Sequence, residues 1–68
     1  MKKGIITNVV TARGFGFIRS DAVSRDIFFH ASACLPGTDY ETMKKGEAVG
    51  FEIKETPKGY VAVGVVYC

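Results

Sequence analysis

Phe15, Phe17, Phe28 and His30 are the side chains whose type and spacing suggest chemistry. Each couple is spaced by two, so if the two segments pair as strands, three phenyl rings and the imidazole share one sheet face. Exposed rings have a general use in stacking: every nucleobase has a π-face, and a base–aromatic stack is worth about 1 to 3 kcal/mol without reading sequence. Arg13, Lys2, Lys3 and Lys58 could hold phosphates around such a platform, which would make binding salt-dependent. Thr7, Asn8, Asp26 and His30 are the polar groups near it that could read a base edge. The competing reading is a core or a dimer interface, because Phe in a strand is usually buried. Gly14 and Gly16 favour the platform, since bare backbone beside ring-bearing positions permits close approach of a ligand or a neighbouring strand.

Other chemistries find less support. Gly14-x-Gly16 lacks the third glycine and the following helix of a dinucleotide loop. His30 is the only histidine, and with Cys34 and Cys68 it has no metal-ligand spacing. Catalysis by His30 would need a nucleophile in a cleft, and Ser32 is its neighbour only in sequence. The expectation is therefore no enzyme, no catalytic residue, no metal and no cofactor. Two cysteines without a C-x-x-C pair could close at most one bridge, so a reducing cytoplasm fits better than a disulfide scaffold. Cys34 reads as a small buried hydrophobe, Cys68 as a frayed end, and Lys44-Lys45 as a solvated turn. No apolar run approaches the roughly 18 residues of a membrane span, which predicts a soluble protein that is not exported.

The elements that must position the rings follow from composition. Sixty-eight residues, 47% of them hydrophobic, make one small domain spanning 1–68 and are too apolar for a disordered tail. Such a domain buries only about 60% of its unfolded surface, leaving modest stability and a single core. The apolar set is rich in Val, Ile and Phe with Leu35 as the only leucine, and this favours strands. The net charge of +2 is uninformative until located: through His30 five basic residues face two acidic ones, so a polyanion would prefer the N-terminal half.

Ile5, Ile6, Val9 and Val10 have the spacing of a helix face, but the β-branched residues and the bracketing glycines favour a strand over 4–11 with a bulge near Asn8. Residues 14–20 predict a second strand and 26–30 a third, with Ile27 and Phe29 opposite Phe28 and His30. Residues 31–46 read as a long connection with one helical turn. Residues 48–55 alternate with Val49, Phe51 and Ile53 inward, and Thr56-Pro57-Lys58-Gly59 turns the chain into a fifth strand over 60–66. Ile6, Ile18, Ile27, Phe29, Val49, Phe51 and Ile53 supply a core for one face, and so small a domain cannot cheaply bury the other. Five strands with a break after the third predict an all-β, five-stranded antiparallel Greek-key barrel of the oligonucleotide-binding (OB) type, with an SH3-like barrel as the competing solution.

Arg13-Gly14-Phe15-Gly16-Phe17-Ile18 followed by Asp26-Ile27-Phe28-Phe29-His30 resembles the paired ribonucleoprotein motifs of the cold-shock domain family, K-G-F-G-F-I and D-V-F-V-H. Gly4, Ser32-Ala33, Lys45-Gly46-Glu47-Ala48-Val49, Phe51-Glu52-Ile53, Pro57-Lys58-Gly59, Ala62 and Val65 extend the likeness over nearly the whole chain. The resemblance implies an OB barrel that binds single-stranded RNA or DNA, as an RNA chaperone or a modest regulator of transcription or translation. The expected partner is neither a membrane nor a small-molecule substrate, and the expected state is a monomer, with a dimer as the alternative. There are departures. The family's K-W-F-N is Thr7-Asn8-Val9-Val10 here, which lacks a basic residue and a stacking Trp, and the aromatic that often follows the histidine is Ala31. The long loop keeps a ring at Tyr40 but puts Glu41 where the family has a cation. Tyr60 stands where the family often has Pro and adds a ring beside Lys58. Weak binding is the expectation. The second reading is a divergent barrel that uses its rings for protein or self association.

Overall fold

The computed structural model describes residues 1–67. Its strands are β1 (Lys2–Val10), β2 (Phe15–Arg19), β3 (Ile27–His30), β4 (Ala48–Thr56) and β5 (Gly59–Tyr67), joined into a closed barrel in the order β1-β2-β3-β5-β4. The strand reading of the first segment holds, and so does the bulge: the β1–β2 register shifts between Ile6 and Asn8. β1 serves two neighbours, since Lys2–Ile5 pair with β4 and Ile5–Val10 pair with β2. The bulge bends the strand between these two pairings, as an extra residue in one strand does.

The expectation of a wholly antiparallel barrel needs one correction. β3 and β5 run parallel, with Phe28 opposite Val61. The long connection after β3 leads into an antiparallel β4–β5 hairpin, which returns β5 alongside β3 in the same direction. The seam continues at Cys34–Val65, where the Leu35 N–H donates to the Val65 carbonyl at 3.0 Å. That connection holds two 3₁₀ turns, Ala31–Ala33 and Tyr40–Thr42, where one helical turn is predicted. Cys34 ends the first, half-buried against the core, Lys44 and Lys45 are exposed, and Cys68 lies outside the described residues.

Ile6, Ile18, Ile27, Phe29, Val49 and Phe51 are fully buried, as their alternation predicts, while Ile53 is half-buried at the barrel's rim. Tyr40, Met43, Ala62 and Val65 complete the core. Gly16 explains how two phenylalanine-rich strands fit around so small an interior. A Cβ there would stand 2.7 Å from the Asn8 carbonyl oxygen and 2.8 Å from Cε1 of Phe29. The close approach that Gly16 permits is thus that of a core ring and a neighbouring strand, and not of a ligand. Gly14 has a different reason, its φ of 77° ending the 3₁₀ turn Thr11–Arg13 in the left-handed region that glycine tolerates.

Gly16→Ala should overpack this contact and lower stability by about 1 to 3 kcal/mol. Urea denaturation checks it, and an unchanged midpoint would mean that Phe29 can move aside freely.

Candidate nucleic-acid interface

Pairing of β2 with β3 puts Phe15 opposite His30 and Phe17 opposite Phe28. Alternation then turns Phe15, Phe17, Phe28 and His30 away from the interior, where Gly16, Ile18, Ile27 and Phe29 are buried. The three rings form a compact triangle: Phe15–Phe28 centroids are 5.5 Å apart at 34°, and Phe17 meets Phe15 at 5.9 Å and Phe28 at 6.0 Å, both edge-on. Mutual packing leaves them half-buried rather than fully exposed, each still presenting ring surface to solvent. Edge-to-face contact between rings is itself favourable, so the triangle is held in shape before any ligand arrives.

Asn8 is exposed and lies opposite Phe17 in the β1–β2 register, which puts it beside the ring triangle. Thr7 sits in the bulge, where its hydroxyl donates to the Phe17 carbonyl at 3.3 Å and so braces the strands. His30 is exposed, and its Nδ1 accepts the Ser32 N–H at 3.1 Å while the Ser32 hydroxyl lies 3.0 Å from the same atom. His30 thus caps the 3₁₀ turn Ala31–Ala33 through its ring nitrogen. Beyond the Phe17–Phe28 rung, Asp26 accepts two hydrogen bonds on Oδ1 from Arg19, from Nη2 at 3.0 Å and from Nε at 3.3 Å. Both contacts of this exposed ion pair fall on Oδ1. Arg13 is exposed in the turn that leads into Phe15.

Tyr40 requires a correction. Its ring is not on the surface: it is 8% exposed, packs edge-on against Phe29 at 6.1 Å, and its hydroxyl is shared between the carbonyls of Phe15 at 2.6 Å and Val10 at 3.0 Å. Tyr40 thus ties the long connection to the ends of β1 and β2 and cannot stack on a base. Burial pushes its phenol above the ordinary tyrosine range, with the nearby Cys34 a lesser cause. Burial, aided by Asp39, also pushes the Cys34 thiol up, so this cysteine is a poor nucleophile.

The basic rim also differs from the predicted one. Lys2 and Lys3 pair with Phe51 and Gly50 of β4, which puts Lys2, six residues from Asn8, about 20 Å along the strand from the rings. Lys58 shares with Phe28, Thr56, Gly59, Tyr60 and Val61 a cleft of about 470 Å³ beside the platform. Tyr60 is half-buried, and the Arg25 guanidinium lies 6.0 Å from its ring centroid. Sequence reasoning missed Arg25, whose only signal was its basic character in the turn before β3. Among the described residues no three His, Cys, Asp or Glu side chains gather as a metal site requires, and no helix is long and apolar enough to cross a membrane.

The chain is similar to known proteins along nearly its whole length. Residues 2–68 match the "Cold-shock" DNA-binding domain. The chain is 41% identical over 63 residues to "Cold shock-like protein CspB" of Yersinia pestis, covering 93% of this chain and 89% of that protein. It is 37% identical over 65 residues to "Probable cold shock protein A" of Mycobacterium tuberculosis, covering 96% of each. Among solved structures, "drosophila Unr CSD456" superposes with a TM-score of 0.80 over 98% of this chain and 26% of the longer one, at 21% identity, which is likeness of fold alone.

Tyr40→Phe should cost about 1 kcal/mol at neutral pH through the lost hydroxyl bond. The folded phenol holds its proton more tightly than the unfolded one, so this contribution is complete below the ordinary tyrosine value and fades as pH rises through the higher folded value. The stability gap between wild type and variant, followed by urea denaturation, should therefore close at strongly alkaline pH. A gap independent of pH would remove the hydroxyl as its source.

Proposed function

The chain belongs to the cold-shock domain family, and on that footing we propose that it binds single-stranded RNA or DNA with loose sequence preference by stacking bases on Phe15, Phe17 and Phe28. The observation that carries the reading is the outward-facing ring triangle, with Lys58 in the cleft beside Phe28 and Arg13 exposed in the turn that leads into Phe15, in a domain whose interior is already filled by Phe29 and Phe51. His30, Asn8 and Asp26 offer polar contacts at the edges, too few and too scattered to read a base sequence strictly. Residues 1–68 act as one binding domain, in the cytoplasm and as a monomer, without a cofactor and without catalysis. Its activity is that of an RNA chaperone or a modest regulator of transcription or translation. Family membership supports this reading, and a platform that takes up unstacked bases, favouring melted strands over paired ones, is in keeping with it.

A duplex keeps its bases stacked on one another, so the rings cannot reach a base face without melting it. Titration with a fluorescent oligothymidine and with a duplex of equal length should show much tighter binding to the single strand. The logarithm of affinity should fall with the logarithm of salt at a slope of about −1.5 to −2, the value for two or three phosphate contacts on a single strand. Equal affinity for both ligands would leave only nonspecific charge, and no salt-sensitive isotherm at all would favour a protein partner for the same rings.

Asn8 is a vacant stacking position on this reading. Asn8→Trp should tighten single-strand binding by roughly 5- to 150-fold, the equivalent of one stacked base. It should also introduce a fluorescence that oligonucleotide quenches, the chain having no other Trp. A Trp at this position that ignores added oligothymidine would separate Asn8 from the binding surface.

A further inference from the structure

The turn that carries Arg13 is held by a residue far from it in sequence. Thr11, Ala12 and Arg13 are all exposed, so no buried side chain of its own fixes the turn, and its shape rests on hydrogen bonds at its two ends. The Gly14 N–H closes it, donating to the Val10 carbonyl at 3.0 Å and to that of Thr11 at 3.3 Å. The Tyr40 hydroxyl reaches both ends at once: it is shared between the Val10 carbonyl before the turn, at 3.0 Å, and the Phe15 carbonyl after it, at 2.6 Å. These partners are 30 and 25 residues from Tyr40 along the chain. Tyr40 is itself firmly placed. Its ring is buried edge-on against Phe29, the Asp39 carboxylate accepts the Glu41 N–H at 3.0 Å, and the Thr42 hydroxyl donates to the Asp39 carbonyl at 3.0 Å. From the end of β5 the Tyr67 hydroxyl lies 3.2 Å from that of Thr42, which ties the same 3₁₀ turn to the barrel.

We propose that Tyr40 is a positioning residue for the nucleic-acid interface, pinning the carbonyls of Val10 and Phe15 so that the exposed turn between them presents Arg13 to a phosphate in a fixed relation to the Phe15 ring. This role rests on the stacking reading above and adds to it a buried residue that touches no ligand. An exposed arginine on a loose turn loses conformational freedom each time it meets a phosphate, whereas a turn held in advance has already lost the backbone share. One hydroxyl proton shared by two carbonyls keeps the ends of the turn together. One of those carbonyls belongs to Phe15, a corner of the ring triangle, so cation and ring are referred to the same point. The anchor beneath them is Phe29, whose chain neighbours Phe28 and His30 complete the platform. On the far side of the turn, the Gly14 carbonyl accepts the Ala31 N–H at 2.8 Å, which binds the turn to the end of β3 as well.

A double-mutant cycle on oligothymidine affinity tests this role, with wild type, Tyr40→Phe, Arg13→Gln and the double variant compared at a temperature where circular dichroism shows each to be folded. Tyr40→Phe keeps the ring against Phe29 and removes only the hydroxyl. It should bind roughly 2- to 10-fold more weakly than wild type, the range for ordering one long side chain at an interface. Its salt slope should shrink towards that of Arg13→Gln, which loses about 0.7, the value of one phosphate on a single strand. In the Arg13→Gln background, loss of the hydroxyl should change affinity by less than about twofold, because the group it positions is gone. Amide hydrogen exchange without ligand gives a second readout: in Tyr40→Phe the Gly14 N–H should exchange faster relative to the core amides of Phe29 and Phe51. A Tyr40→Phe protein that is less stable but keeps wild-type affinity and salt slope would overturn the role, as would an equal loss of affinity in both backgrounds or unchanged protection at Gly14. Each of these leaves the platform standing. Wild type that binds no oligothymidine would overturn the stacking reading and the positioning role together.

Discussion

Phe29 lies against the bare backbone of Gly16, and the register fixed by that contact decides what both faces of the sheet can do. With Phe29 inside and opposite Gly16, its neighbours Phe28 and His30 must point outward, and so must Phe15 and Phe17 across the strand pair. A slip of one residue would exchange the two sets, drawing the rings of the platform into the core and exposing the core to water. The same constraint accounts for Tyr40, which reaches over Phe29 to the carbonyls of Phe15 and Val10 and so holds the long connection against the barrel. Core and candidate interface are two sides of one register.

Much of this was legible in the sequence: in β4 the alternation of Val49, Phe51 and Ile53 against Gly50, Glu52 and Lys54 names the inner face, while in β2 and β3 the period of two shows which residues share a face but not which face is inner. The bulge in β1 could be placed near Asn8 because apolar pairs there break the alternation. What remained hidden lies where the chain has no period. The connection after β3 holds Tyr40 and Met43, both buried, and no local pattern distinguishes a ring that folds back onto Phe29 from one that faces solvent. The direction of β5 against β3 was hidden for a related reason: it depends on where a long connection delivers the hairpin, and strand composition carries no sign of direction. Arg25 was invisible as a partner of Tyr60 because the two are brought together only by that seam.

Membership of the cold-shock domain family makes the departures informative as well as the matches. Asn8 stands where the family's pattern has a stacking Trp, and Ala31 where it often has an aromatic, so rings are missing next to Phe17 and next to His30. Tyr40 does not make up the loss, since it belongs to the core. The aromatic surface is consequently shorter on the β1 side, while on the β5 side Tyr60, half-buried against the core, lines one cleft with Phe28. Charge follows the same shift, with Lys2 and Lys3 turned to the β4 seam and Arg25 and Lys58 gathered at the turns.

The claim on which the account depends is that the outward rings receive bases while the inward rings stay packed. Nuclear magnetic resonance of the aromatic ring protons during titration with oligothymidine measures both sets in one sample. Stacked bases should move the ring signals of Phe15, Phe17 and Phe28 to higher field in a saturable way and leave those of the buried Phe29 and Phe51 nearly unmoved. Saturable binding that leaves the three outward rings unshifted would contradict the account.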